Sequence, residues 1–469
     1  MPESRPGAHI SSTLEAMSTI IQGPPSLPII GNLPAFANNP LNFLFASQRD
    51  YGDVFTYAIA SNRVVLAAHP DDVKHILLDN HKNYEKHAFY KRVKPLVGEG
   101  LLTSEGDTWF KNRRLAQPVF HRQHIHSFGE MMTTSTQTML ESRWQNRVDN
   151  SEPLDVHHEM MHLTLVIVAQ ALFSKDLSDE ADDVSQALNF SLEHINKRSL
   201  SPIELPESLP TPGNAKFARA LKTLDEVIYS LIKERRNSGE TPENNRGDLL
   251  SMLLHASDID TGESMSDLEL RDEAMTLFLA GHETSANALT WLFYLLAQHV
   301  SVADKIRTEL NEVLDGRAPS VEDAPKLVYT RQVIDETLRL YPPAWMIGRH
   351  SLGTDTLPSG ATLPAGTDVS ISPYVIHRHQ DFWDNPEGFD PERFSKTRSE
   401  GRHRFAYFPF GAGPRMCIGN NFALLEMTLA VATIMQSVRL ELLSGQTIKP
   451  QPSVTLRPKD SVLMRVKPR

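Results

Sequence analysis

Phe410-Gly411-Ala412-Gly413-Pro414-Arg415-Met416-Cys417-Ile418-Gly419 decides the reading of this chain, because it holds the only cysteine among 469 residues. A lone cysteine on its own behaves as a small buried hydrophobe. Its neighbours argue for something else. Gly411 and Gly413 let the backbone bend sharply and approach something large and flat. Arg415 puts a fixed positive charge on the same turn. Asn420-Asn421-Phe422-Ala423-Leu424-Leu425-Glu426-Met427 then opens an apolar helix. Cys417 therefore lies at a helix N-terminus, where unpaired N–H groups and the dipole favour an anion such as a thiolate.

One cysteine cannot close an intrachain disulfide or build a multi-cysteine zinc or iron–sulfur site. A catalytic nucleophile and a single axial ligand to heme iron are the uses that remain. The stretch resembles the heme-binding loop of the cytochrome P-450 monooxygenases, with Phe410, Gly411, Gly413, Arg415, Cys417 and Gly419 at all the expected positions. That resemblance covers nearly the whole chain. It implies a mainly α fold with a smaller β-rich part and a long central helix over the heme. It also implies heme b (iron protoporphyrin IX), with Cys417 as the metal ligand and Phe410, Gly411, Arg415 and Gly419 around the cofactor.

Composition agrees with an ordinary globular protein: 40% apolar and 22% charged residues leave ample core. The net charge of −11 gives no encouragement to nucleic-acid binding. Residues 1–22 carry neither a run of about 20 apolar residues nor the pattern of a secretory signal. We expect a flexible N-terminal segment over 1–22, one cytochrome P-450 domain over 23–469, no transmembrane anchor, a cytoplasmic location and a monomer. Gly23-Pro24-Pro25-Ser26-Leu27-Pro28 resembles the proline-rich hinge of membrane-anchored relatives, although no anchor precedes it. A short amphipathic contact over Thr13 to Ile21 is the alternative.

Further along, Val54 to Ile59 and Val64 to Ala68 read as two strands around a polar turn. Leu163 to Ala169 is too short to span a bilayer and reads as a buried core helix. Asp179 to Lys197 and Asn214 to Asn237 flank a proline-rich loop containing Pro202, Pro206, Pro210 and Pro212. By resemblance this unit is a mobile lid over the substrate. Trp109 and Arg113 share a helix face. Alone they suggest a cation–π pair; the resemblance assigns both to a heme propionate.

Asp267 to Val300 is the longest helical pattern, and its middle reads Leu279-Ala280-Gly281-His282-Glu283-Thr284-Ser285. A zinc-protease reading fails because position 286 is Ala, not the second His. Gly281 costs about 1 kcal/mol against Ala inside a helix, so a local reason is expected. By resemblance the reason is room: the helix opens at Ala280 and Gly281 to admit dioxygen, and the Thr284 hydroxyl bonds back to the Ala280 carbonyl. Glu283 and Thr284 are then the catalytic pair, with Glu283 relaying protons from solvent and Thr284 delivering them.

Glu336 and Arg339 sit three apart on a helix running from Tyr329 to Leu340, and Pro391-Glu392-Arg393-Phe394 follows later. The resemblance joins Glu336, Arg339 and Arg393 in a buried structural cluster, tolerable only if every charge is paired. It places Arg349 on a heme propionate and Leu101, Leu102, Leu277, Ala280, Ala344, Met346 and Val454 against the substrate, with Val454 and Thr455 at the substrate-reaching tip of a C-terminal hairpin over Pro452 to Pro458. His377 and His379 read as structural.

The implied reaction inserts one atom of dioxygen into a lipophilic small molecule of fatty acid, terpenoid, steroid or polyketide type, by hydroxylation or epoxidation. Gly411-Ala412-Gly413 is no dinucleotide fingerprint, since position 416 is Met. Two electrons must then come, ultimately from NAD(P)H, through a separate ferredoxin or flavodoxin-type partner and its reductase. That partner is expected near His121, Arg122 and Arg415. A peroxide-using peroxygenase, a peroxide isomerase or dehydratase, and a non-enzymatic heme sensor are the alternatives. Relatives of the first two kinds usually lack the Glu283-Thr284 pattern.

Overall fold

Capping chemistry sets where the longest helix begins. Ser266 accepts from the Glu269 N–H at 3.3 Å, and Glu269 accepts in return from the Ser266 N–H at 2.8 Å. The helix that follows runs unbroken through Asp267–Gln298, 32 residues. These contacts come from a computed structural model that describes residues 21–150, 152–176, 181–199, 206, 209–241, 244, 246–258 and 262–469. Residues 1–20, which carry most of the expected N-terminal segment, and Pro202 of the proline-rich loop lie outside the described residues.

The chain is mainly helical with a smaller strand-rich part. Helix Val156–Phe173 is apolar on nearly every side and is accordingly buried all round. It packs most extensively against the long helix. Two cross-bonds lock the pair: Thr164 Oγ1 donates to the His282 carbonyl at 2.9 Å, and the His282 ring meets the Met161 carbonyl at 3.1 Å. Helices Ala181–Ser199 and Pro212–Asn237 pack on each other, and the second also packs on the long helix. The expected lid helices are thus present at nearly the expected boundaries.

Strands Val54–Ile59 and Asn62–Ala67 form the predicted hairpin at one edge of a five-stranded sheet. Asp368–Ile371, Ile347–Ser351 and Tyr84–Lys86 complete it in that order. The Asn62–Ala67 to Asp368–Ile371 pairing is parallel, and the others are antiparallel. This sheet organises a second apolar cluster around Phe55, Leu66, Val369 and Ile371. Tyr341 packs against both clusters and stacks face to face on Trp291 of the long helix at 4.0 Å. The two cores are thereby joined through one aromatic pair.

Glu336 and Arg339 sit on helix Val328–Leu340 with no exposed surface, and Arg393 is 3% exposed. Arg339 grips Glu336 with two parallel bonds of 2.7 and 2.9 Å, and Arg393 Nε donates to Glu336 at 3.0 Å. The Asp390 N–H supplies a fourth donor at 2.8 Å. The guanidinium N–H groups left over donate to carbonyls at His377, Asp384, Pro386 and Gly388. His377 in turn accepts from the Phe408 N–H at 3.0 Å, directly ahead of the cysteine loop. Burial and the Arg339 charge hold its imidazole down to about 3, so it is a neutral acceptor. His377 is structural, as expected. His379 is equally so, tied to Asp53 at 2.9 Å.

Removing Glu336 leaves two buried cations facing each other. Glu336→Ala is expected to lose about 3–5 kcal/mol of unfolding free energy and to fail to retain heme. Denaturant unfolding and heme absorbance check both; a fully loaded variant would contradict the cluster's role.

Candidate active site

The cysteine loop is a tight backbone structure before it is a ligand site. The Cys417 N–H donates to the Phe410 carbonyl at 2.9 Å, closing the loop on itself. Gly411 and Gly413 sit at φ +71° and +69°, in the left-handed region that side chains disfavour. At Gly413 a Cβ would also fall 1.8 Å from the Leu77 carbonyl oxygen. That glycine therefore admits a neighbouring turn of backbone, not only a flat group. Gly419 caps helix Asn420–Ser437.

Cys417 is reachable by solvent yet set deep among protein atoms. Burial pushes its thiol up, while the Gly419 N–H and Arg113 pull it down. Burial wins, against the expectation that the helix terminus alone favours a thiolate. A coordinated metal is what would hold the sulfur deprotonated. Arg113, on helix Gly106–Ala116, donates to the Met416 carbonyl at 3.0 Å and so stitches that helix to the loop.

Beside the loop lies an excess of cations. Arg415 pairs with Glu105 at 2.8 Å and rests on the Trp109 ring at 5.0 Å. Arg349 is 7% exposed and donates to the Gly348 carbonyl. Lys86 donates to the carbonyls of Leu101 and Ser104 at 2.8 and 2.7 Å. Burial first, and then Arg415, press its ammonium down to about 7. Glu105 is held ionised below its ordinary range by Arg415 and the Lys86 N–H, whereas burial lifts Glu273 to about 8. Three cations around one ionised carboxylate suit a guest that carries two carboxylates, as heme does.

The long helix has one accessible face. From Leu270 to Leu296 every residue is buried except Ala280, Gly281 and Thr284, which share one face. Thr284 Oγ1 donates to the Ala280 carbonyl at 2.6 Å, as predicted. Glu283 is buried, accepts from Thr455 Oγ1 at 2.9 Å, and is pushed up by burial. Gly281 also has a packing reason that the sequence does not show. The helix does not open there, and a Cβ would stand 2.8 Å from Val168 Cγ2 on helix Val156–Phe173. Glycine at this position permits close helix packing.

The structure thus brings Trp109, Arg113, Arg349, Arg415 and the loop residues Phe410 to Gly419 into one neighbourhood. Phe410 packs partly buried against the helical core. Among the expected substrate contacts, Ala280 and Ala344 are exposed, Leu102, Met346 and Val454 are half-buried, and Leu101 and Leu277 are nearly covered. Thr455 does not line that space: it is 6% exposed and bound to Glu283.

Sequence reasoning missed Lys86, Glu105 and Glu426. Glu105 stands four residues before Trp109, at the helix cap, and that position was its only signal. Glu426 lies nine residues after Cys417, fully buried, with no hydrogen-bonded partner on either oxygen beyond a loose approach to Ser285.

The cysteine loop and the cations beside it have the chemistry that a heme would need, and the comparisons give the family. Residues 21–466 match the cytochrome P-450 family. Cyclooctatin synthase of Streptomyces melanosporofaciens is 38% identical over 92% of each chain. Cyclooctat-9-en-7-ol 5-monooxygenase of the same organism is 38% identical over 94% of each. Pentalenene oxygenase of Streptomyces avermitilis is 32% identical, over 91% of this chain and 92% of its own. Among solved structures, the cytochrome P450DA heme domain superposes with a TM-score of 0.86 at 27% identity, over 96% of this chain and 98% of its own. The chain belongs to the cytochrome P-450 family, and it is an oxidoreductase of the monooxygenase type. Heme with a cysteine thiolate and the use of dioxygen come with that membership. No helix among the described residues is long and apolar enough to cross a membrane.

Glu426 yields a pH prediction. Burial lifts its folded pKa to about 8, above the unfolded carboxyl value. The unfolded chain therefore sheds this proton first, and stability falls as pH rises from the unfolded value towards 8. Glu426→Gln removes that slope, at most about 1.4 kcal/mol per pH unit. Urea unfolding is expected to show the variant gaining on the parent at pH 8 and matching it near pH 4; equal gains at both would refute the assignment.

Proposed function

We propose that this protein, as a single domain over 23–469, takes two electrons from a separate partner and oxygenates a lipophilic terpenoid in the cytoplasm, acting as a monomer. The accessible face Ala280-Gly281-Thr284 on an otherwise buried helix, with the carboxyl of Glu283 behind it, carries this reading. A plain heme sensor needs no such acid–alcohol pair, and the peroxide-using alternatives usually lack it.

Bound heme b supplies dioxygen activation. Cys417 would ligate its iron, and Lys86, Trp109, Arg113, Arg349 and Arg415 would take its two carboxylates. The residues' own task is proton handling in a space that excludes water. Thr284 holds a hydroxyl proton on the open face, now lent to the Ala280 carbonyl at 2.6 Å. Glu283 is pushed towards its neutral form by burial, so it enters as an acid able to release a proton. Ala280, Leu102, Ala344, Met346 and Val454 offer an apolar lining without a charged anchor. Such a lining orients a hydrocarbon body by shape. Relatives whose names specify cyclooctat-9-en-7-ol and pentalenene support a terpenoid.

Electrons reach the family through redox partners; here we assign a ferredoxin or flavodoxin-type protein fed by NAD(P)H. His121 and Arg122 are exposed beside the helix that follows the Arg113 segment. Arg415 is removed from the expected docking patch, because it is turned inward onto Glu105 and Trp109.

Thr284→Ala is expected to keep electron consumption while diverting most of it to hydrogen peroxide, measured with a lipophilic terpene that displaces the iron-bound water spectrally. Unchanged coupling would remove Thr284 from proton delivery. Arg122→Glu should slow reduction by an acidic ferredoxin several-fold at low salt and less at high salt; indifference at both would move the docking site elsewhere.

A further inference from the structure

Glu283 is not simply a buried acid waiting beside Thr284. Its Oε1 ends a row of three hydrogen bonds that crosses from the hairpin to the edge of helix Val156–Phe173. Thr455 Oγ1 donates to Glu283 Oε1 at 2.9 Å, and Asn287 Nδ2 donates to Thr455 Oγ1 at 3.0 Å. The His157 Nε2–H meets Asn287 Oδ1 at 3.1 Å. Glu283, Thr455 and Asn287 are 5%, 6% and 0% exposed, whereas His157 is only half-buried. One end of the row thus touches water and the other is sealed.

Every donor in the row points the same way, towards Glu283. Aligned donors polarise one another, and in a low-dielectric interior the effect reaches the terminal group. The middle link also limits what the row can do. Passing a proton along it would force the Asn287 amide into its imidic acid form, a high-energy tautomer. The row therefore transmits polarisation and position, not protons.

We propose that His157, Asn287 and Thr455 are positioning residues that hold the Glu283 carboxyl by one oxygen and set the pH at which it gives up its proton. This rests on the assignment of Glu283 to proton delivery. A proton on His157 strengthens the whole row and favours the Glu283 carboxylate. Losing a link weakens or removes that hydrogen bond, leaving burial opposed mainly by the Arg457 charge and the carboxyl more reluctant to ionise. Burial pushes Glu283 up and His157 down, so both ends lean neutral.

Other charges face His157 as well. Asp155 accepts from the His157 backbone N–H at 3.0 Å and from the Val462 N–H at 3.1 Å. His158 is its chain neighbour, and His282 approaches from the long helix. Arg457 comes from the hairpin, paired with Glu193 of helix Ala181–Ser199 at 2.8 Å. None of these joins the row, but the Arg457 charge acts on both ends: it lowers Glu283 directly as well as His157, and it is present in every variant tested.

The test is an infrared titration of the Glu283 carboxyl stretch in the heme-loaded resting enzyme, assigned by its loss in Glu283→Gln, with the peroxide leak measured in parallel. Thr455→Val is expected to raise the titration midpoint by about one pH unit, and His157→Phe by a smaller step. His157→Gln keeps a donor and should restore the midpoint. A midpoint unmoved in Thr455→Val or His157→Phe, in protein that still carries heme, overturns the proposal. If the midpoint moves but Glu283→Gln does not change the peroxide leak, the row stands and the proton-delivery assignment of Glu283 falls.

Discussion

Glu336 is a carboxylate with no surface at all, and the approach to the cysteine loop depends on its being fully matched. Two guanidinium groups and a backbone N–H satisfy it, and those guanidinium groups spend their remaining donors on carbonyls between His377 and Gly388. An irregular segment is thereby fixed by bonds that no water can replace. A buried pair of this kind adds little net stability compared with apolar packing, but it is intolerant of a missing member. What it supplies is geometry. Through His377 the cluster reaches the Phe408 N–H, and from there the chain turns into the two left-handed glycines and Cys417.

The long helix obeys a different constraint. Helix Asp267–Gln298 is buried over most of its length and is held from behind by Thr164, His282 and the close approach at Gly281. Its one open face could not relax into the neighbouring helix without breaking those contacts. The loop and the helix are each held by contacts of this kind, which suits the positioning of reacting groups. Near the loop, burial first and then Arg415 lower the Lys86 ammonium to about 7, and a dicarboxylate guest would offset that.

Much of this could be read from the chain. The loop, the Trp109–Arg113 helix, the Thr284 back-bond and the Glu336 cluster each have a local pattern, and each was found where the pattern put it. The incomplete readings share a physical cause. Gly413 and Thr455 were interpreted by the ligand they could face, but long-range neighbours claim them, Leu77 and Glu283, and Gly281 and Arg415 have protein neighbours of their own in Val168 and Glu105. No periodicity or spacing in one segment records which distant segment lies against it. Lys86 was invisible for the same reason, since its partners at Leu101 and Ser104 are brought to it only by the loop that follows.

Buried carboxyls show how far partners, and not burial, decide the role. Glu336 meets four donors, three of them from two guanidinium groups, and organises structure. Glu283, Glu273 and Glu426 are as deep, but they meet at most one donor each and are all pushed up. Only Glu283 adjoins an accessible hydroxyl on the open helix face. A carboxyl that must release a proton has to be desolvated enough to hold it and tethered enough to aim it. Desolvation alone gives a reluctant acid, as at Glu426. Glu283 is desolvated too, but the single neutral donor from Thr455 tethers one of its oxygens, which is the combination that the proposed proton delivery requires.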